Sequence, residues 1–330
     1  NNARFYAKRA LATPDSTWAN FMPMFHTSGC GMISLGCLQF GCKMVLFKLF
    51  DPAAILRIIE SEHITGMLGV PTMLVALLES LSVEPADVSS VEMVVSGGAM
   101  VAPELVRNIQ HAFDCKFETV YGQTETSPLI TQHHAEDSID DICSTVGQPM
   151  PQTSVSIRSI EENKVVPFDT VGEICVQGYC NMIEYHANAQ ASAEAIDKQG
   201  WLHTGDLGTM DSRGYVGVTG RVKEMIIRGG ENMFPAEIEN VLLEHPSVLE
   251  VAVVGLPDDK WGEIVACFVR AATVEAIDPQ DLHTHCRQNM APQKTPVLWF
   301  QVEAFPLTGS GKIRKFELRD RYLSGEYESL

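Results

Sequence analysis

Four stretches of the chain combine residue types and spacings that could do chemistry. Near the end, Pro306-Leu307-Thr308-Gly309-Ser310-Gly311-Lys312-Ile313 holds a lysine in a glycine-rich loop. Such a lysine can reach negative charge developing on a carboxylate or phosphate, although a mobile surface lysine would look the same. A Walker A loop is excluded, because G-x-x-x-x-G-K-[ST] would need Gly at Pro306 and Ser or Thr at Ile313. Farther upstream, Ser96-Gly97-Gly98-Ala99 and Tyr121-Gly122-Gln123-Thr124-Glu125 each follow an apolar run. Glycine there lets backbone approach a flat ring or a phosphate. Thr124 can donate to a phosphate oxygen, and Glu125 can hold Mg²⁺ through oxygen. Either stretch alone could be an ordinary strand-to-helix turn.

Trp201-Leu202-His203-Thr204-Gly205-Asp206 places a carboxylate after a tight turn. An exposed aspartate there could accept the hydroxyls of a ribose, or it could be a solvated turn residue. The fourth stretch, Gly220-Arg221-Val222-Lys223-Glu224 running into Arg228-Gly229-Gly230-Glu231-Asn232, sets two cations where one pattern of elements gives way to another. A polar connector at a domain border suits a hinge, and equally a plain solvated linker.

These stretches need elements to position them. Asp51 as N-cap and Pro52 in the first turn predict a helix over 51–64, followed by a buried strand over 64–70 and a helix over 72–81. A second cycle follows: strand 91–95, turn, helix 103–113, strand 116–120. Alternation of this kind favours a parallel sheet covered on its faces. After Pro149-Met150-Pro151 the runs at 155–159, 173–177 and 215–219 predict a small β-rich unit. From Glu224 a compact α+β unit is expected, with strands at 224–228, 249–256, 264–270 and 297–302 and helices at 235–244, 279–289 and 314–322. The reading is therefore α/β: a parallel-sheet subdomain over 1–150, a β-rich subdomain over 151–222, and a C-terminal α+β domain over 223–330.

Composition narrows the class. A formal charge of −18, from 42 Asp+Glu against 24 Lys+Arg, argues against nucleic acid, which needs a basic face. It does not exclude a nucleotide, whose phosphates need only a few N–H groups and local cations. Nine cysteines are scattered without a C-x-x-C pair, which argues against zinc sites and disulfide frameworks and fits a reducing, cytoplasmic setting. No apolar run is long enough for a transmembrane segment. Asn1 opens inside what reads as a helix, so an upstream part is expected.

Taken in order, the four stretches resemble the adenylate-forming superfamily of acyl-CoA synthetases, adenylation domains and luciferases. The resemblance covers essentially the whole chain, through Y-G-x-T-E, T-G-D, G-R-x-K-E, G-x-N with P-x-E-x-E ending at Pro235, Glu237 and Glu239, and P-x-x-x-x-G-K. It implies that Ser96, Gly97, Gly98, Ala99 and Tyr121 sandwich adenine, that Gly122 belongs to the same ATP site, that Thr124 contacts the α-phosphate, and that Glu125 holds Mg²⁺. Asp206 would hold the ribose with Arg221 close by, Lys223 would be the hinge, and Lys312 the catalytic lysine. His26 would be the gate of the acyl site, and Gly229 and Gly230 would line the coenzyme A tunnel.

The resemblance is nearest to fatty-acyl-CoA ligases, through Gly-Glu-Ile-Cys-Val-Gln-Gly at 172–178 and Gly-Gly-Glu-Asn-Met-Phe-Pro at 229–235. It implies ATP, Mg²⁺ and coenzyme A as partners of a small carboxylic acid, and leaves room for a homodimer. Loading of a carrier protein and a non-catalytic binding fragment stay open as alternatives. The family's phosphate loop, T-S-G-T-T-G-x-P-K-G, is absent and is expected upstream of Asn1, so residues 1–330 alone are expected not to turn over ATP.

Overall fold

The computed structural model describes residues 1–99, 101–272, 277–309 and 312–330. They form two compact units, one of residues 1–204 with 208–218, the other of 205–207 with 219–330.

The first unit is built on a seven-stranded sheet of β1 (Thr17–Asn20), β2 (Lys43–Leu46), β3 (Gly66–Gly69), β4 (Met93–Gly97), β5 (Lys116–Gly122), β6 (Leu129–Gln132) and β7 (Gln148–Pro149), in the order β2-β1-β3-β4-β5-β6-β7. The first five in that order run parallel, as the strand–helix alternation predicts, while β6 and β7 add an antiparallel edge. Helices α1 (Asn2–Arg9), α2 (Leu35–Phe40), α3 (Pro52–Glu62), α4 (Pro71–Val83), α5 (Pro103–Phe113) and α6 (Ile139–Ser144) accompany it.

Local chemistry fixes several of these boundaries. Asp51 caps α3 through a 3.1 Å bond from Ala54 N, and Pro52 occupies the first turn where no N–H is needed. In α5, Leu105, Val106, Ile109 and Phe113 recur at helical spacing, and all are buried. They join Met93, Val94, Val95 and Phe117 in one apolar core. Strands β3 and β4, inside the parallel part of the sheet, are buried along their whole length.

A second sheet contains β8 (Thr153–Arg158), β9 (Gly172–Gly178), β10 (Leu202–Met210) and β11 (Val216–Arg221), in the order β11-β10-β9-β8. The short helix α7 (Ala189–Ala195) lies between β9 and β10 in sequence. Ile157, Ile174, Val176 and Val216 share its core with Ile130 of β6. Strand β10 was not expected: Thr204, Gly205 and Asp206 look like turn residues, yet all three lie inside it.

The second unit carries β12 (Ile226–Arg228), β13 (Glu231–Met233), β14 (Val248–Asp258), β15 (Gly262–Ala271) and β16 (Leu298–Gln301), with helices α8 (Pro235–Leu243), α9 (Pro279–Asn289) and α10 (Lys315–Leu323). The β14–β15 hairpin buries both faces. Val251 and Val253 enter one core with Ile238 and Leu282, while Ala252 and Val254 enter another with Phe300 and Leu318. Alternation along one strand thus supplies two cores. No helix among the described residues is long and apolar enough to cross a membrane.

Candidate nucleotide and acyl-transfer site

In the first unit the sheet brings two of the singled-out stretches together. Strands β4 and β5 are parallel neighbours, with Ser96 opposite Thr119 and Gly97 opposite Val120. Ser96–Ala99 and Tyr121–Glu125 therefore leave the same, carboxyl edge of the sheet side by side, where open α/β sheets present ligands. Ser96 is fully buried and donates through Oγ to Gly69 O at 3.0 Å, so its side chain ties β4 to β3. Gly122 permits a close crossing, because a Cβ there would stand 1.9 Å from Pro128 O. Gln123 and Thr126 then close a reciprocal cap around the 3-10 turn Thr124–Thr126. That turn presents Glu125, whose Oε1 accepts from Tyr185 Oη at 2.8 Å. Its backbone O accepts from Met182 N at 2.7 Å. His26 stands on the segment entering the π-helical turn Ser28–Ser34, its Nδ1 accepting from Ser28 N at 3.1 Å and 2.8 Å from Ser28 Oγ.

In the second unit, residues far apart in sequence converge. Asp206 is not the exposed turn carboxylate that the sequence suggests. It lies within β10, only 5% exposed, and its Oδ1 accepts from Arg221 Nε at 2.7 Å. The strand continues through Gly205, whose φ of +73° a glycine adopts without strain. Lys312 feels both groups. Desolvation and the Arg221 guanidinium hold its ammonium below the usual lysine range, while Asp206 opposes them. Its loop is pinned at both ends: Lys312 N donates to Thr308 Oγ1 at 3.0 Å, and Thr308 N to Lys312 O at 2.8 Å. Ser310 and Gly311 of this motif lie outside the described residues.

Gly229 and Gly230 form the turn between β12 and β13, with φ of +60° and +88°, the pairing that a two-residue hairpin favours. Trp261 packs so closely that a Cβ at Gly229 would meet its ring at 2.8 Å. Lys223 sits in the 3-10 turn Val222–Glu224, which has no buried residue.

The sequence reading did not single out Lys315, three residues after Lys312. Its Nζ lies 2.7 Å from Glu239 Oε1 and 3.2 Å from Glu224 Oε2. The two carboxylates raise its pKa against the opposing effect of burial, which is the largest single influence. This cation fastens the start of α10, and with it the Lys312 loop, to α8 and to the turn carrying Lys223. Glu237, the other acid of P-x-E-x-E, pairs with Lys294. The signal was present in the second lysine of Lys312-Ile313-Arg314-Lys315, but nothing in the sequence says which carboxylates it meets.

Comparisons with known proteins find relatives along most of the chain. Residues 1–186 match the family described as AMP-binding enzyme, and residues 237–312 match the AMP-binding enzyme C-terminal domain. A putative acyl-CoA synthetase, YngI, of Bacillus subtilis (strain 168) is 37% identical over 322 residues, which is 97% of this chain and 59% of that protein. The mitochondrial medium-chain acyl-CoA ligase ACSF2 of Homo sapiens is 36% identical over 301 residues, 91% of this chain and 49% of its own length. The ATP-bound crystal structure of MatB from Rhodopseudomonas palustris superposes with a TM-score of 0.91 at 28% identity, covering 97% of this chain and 63% of that one. The chain thus spans about half to three fifths of the curated relatives it matches.

Proposed function

The chain belongs to the AMP-binding enzyme family, and on that premise we propose that it is the larger part of an ATP-dependent acid–CoA ligase. The reaction is a two-step transfer. A carboxylate oxygen attacks the α-phosphorus of ATP and pyrophosphate leaves; the thiol of coenzyme A then attacks the acyl carbon of the adenylate, loses its proton, and AMP leaves. The observation that carries this reading is the buried Asp206 held by Arg221 at 2.7 Å in the second unit, with both charges acting on Lys312. A cation within electrostatic reach of a buried carboxylate that a guanidinium holds suits a nucleotide whose ribose and α-phosphate must both be held.

In the first unit, Ser96, Gly97, Gly98, Ala99 and Tyr121 would sandwich the adenine, Gly122 would belong to the same ATP site, and Thr124 would donate to the α-phosphate. Glu125 fits Mg²⁺, since its half-buried carboxylate offers the hard oxygen donor that cation takes. Bound there, the ion would neutralise charge on the phosphates. In the second unit, Asp206 would accept the ribose hydroxyls, with Arg221 holding the carboxylate in position. Lys312 would stabilise the adenylation transition state. Lys223 would supply the pivot between the two half-reactions, and Gly229–Gly230 the wall of the coenzyme A channel. His26 would gate the acyl pocket.

A fatty or similarly apolar acid is the proposed substrate. The segments 21–31 and 67–74 are apolar and bring no charge that would meet an amino acid's ammonium. The ligase ACSF2 is named for medium-chain acids, which supports the same class. The test is a screen of carboxylic acids on the natural full-length protein, reading pyrophosphate release and thioester formation separately. Release with fatty acids and thioester only when coenzyme A is present is the expected pattern. Turnover confined to amino acids, or none with any acid, would overturn it.

A further inference from the structure

Strands β9 and β10 are neighbours in the second sheet. Glu173 and Cys175, two residues apart on β9, project from one face. His203 of β10 meets them, with Nδ1 2.7 Å from Glu173 Oε2 and 3.5 Å from Cys175 Sγ. The three donor atoms all lie within 4.8 Å of one another. Across the ring, His203 Nε2 is 3.8 Å from Asp197 Oδ2, which also lies 3.6 Å from Arg158 Nη1. Cys175 is fully buried, while the side chains of Glu173 and His203 keep 14% and 21% of their surface, enough to leave an approach from solvent.

We propose that Glu173, Cys175 and His203 form a site for a zinc-like dication, with His203 Nε2–H turned toward Asp197. The proposal is independent of the ligase reading, and runs against the sequence expectation, which looked for cysteine pairs and found none. A mixed sulfur, nitrogen and oxygen donor set selects zinc or its neighbours over magnesium and calcium, which take oxygen alone. One edge of the site already has the required length. At ordinary zinc bond lengths the nitrogen–sulfur edge of a tetrahedron is about 3.5 Å, the separation already present between His203 and Cys175. The nitrogen–oxygen edge is about 3.4 Å, so the His203–Glu173 hydrogen bond must open by about 0.7 Å as the ion replaces its proton. Asp197 supplies a second, separate observation. Histidines that bind metal present their other nitrogen to a carboxylate, which fixes the tautomer; Asp197 Oδ2, which accepts from Asn163 Nδ2 at 3.2 Å, stands 3.8 Å from Nε2 and must close by about 0.8 Å to play that part. On binding, the His203 proton moves from Nδ1 to Nε2, the Cys175 thiol loses its proton to solvent, and water completes the fourth position.

The experiment uses the natural full-length protein after chelator treatment. It is titrated with Zn²⁺ against a chromophoric chelator and, separately, with Co²⁺ under visible and near-ultraviolet spectroscopy. One high-affinity zinc per chain is expected, weakened at least tenfold by Cys175→Ser and by Glu173→Gln, and about tenfold by Asp197→Asn. The sulfur-to-cobalt charge-transfer band should vanish in Cys175→Ser and persist in Cys267→Ser, whose thiol lies in the core of the other unit. Glu173→Gln keeps a hydrogen-bond acceptor for His203, so it serves where the serine variant folds poorly. Absence of stoichiometric zinc in the unaltered protein would mean that the cluster only joins two strands. That result, or a cobalt band unchanged in Cys175→Ser, overturns the proposal.

Discussion

Arg221 Nε donates to Asp206 Oδ1 at 2.7 Å, and the carboxylate that receives it is almost fully buried. The pair lies at the end of β11 and the middle of β10, so two strands set its geometry. The guanidinium gives a carboxylate this enclosed the partner that offsets part of its desolvation. Replacing it by Asn keeps the shape and removes the charge. If Asp206 also accepts ribose hydroxyls, Asp206→Asn should raise the ATP KM by about tenfold or more, each charge-assisted bond being worth about 1.5–3 kcal/mol. An unchanged KM for ATP, with a correctly folded variant, would place the ribose elsewhere.

For Lys312 the expected signature is selective. Lys312→Ala should slow acyl-adenylate formation by about 10²–10³-fold, the usual value of one preorganised electrostatic group. Thioester formation from supplied acyl adenylate should change little, because no pyrophosphate leaves in that step. The two half-reactions measured separately decide the matter. Equal losses in both would remove Lys312 from its adenylation role.

Lys315 gives a prediction about stability. Lys315→Met leaves Glu224 and Glu239 facing one another without their cation, at a cost of about 2 kcal/mol for a group that keeps some solvent. The sign with pH follows from its raised pKa. The stabilisation is fully present below the ordinary lysine range, near pH 10.4, and is lost as pH rises through the higher folded value. Denaturant unfolding at pH 8 should show the variant weaker. Equal midpoints would mean that the pair adds nothing to the second unit.

Glu118 shows the same sign in a lower pH window. It is fully buried on β5, its Oε2 2.6 Å from Gln132 Nε2, and burial lifts its carboxyl to about 8 despite Gln132 and Arg9. The folded state therefore binds a proton that the unfolded chain releases near pH 4.3, and stability falls as pH rises from there to about 8. Glu118→Gln should abolish that slope, retaining about 2–4 kcal/mol more of its stability than the parent between pH 5 and 8. Parallel pH profiles for the two proteins would show that Glu118 is already ionised in the fold.

Much of this protein is written in local sequence. Pro103–Phe113 and Pro279–Asn289 have the boundaries expected from their start and stop residues, because proline, caps and helical spacing act within one or two turns. The order of the motifs resembled the family that the comparisons then matched, since each motif is a short run of chain. Strand β10 was hidden because Thr-Gly-Asp carries turn chemistry, and only its neighbours' hydrogen bonds make it a strand. Burial of Asp206, the Lys315 bridge to Glu224 and Glu239, and the meeting of Glu173, Cys175 and His203 were likewise invisible. Each depends on strands or helices separated by tens of residues, whose register fixes which side chains face one another. Residue types and spacing determine what chemistry the chain carries; pairing across the sheets decides which groups are shielded from water, and so which charges and donors can act together.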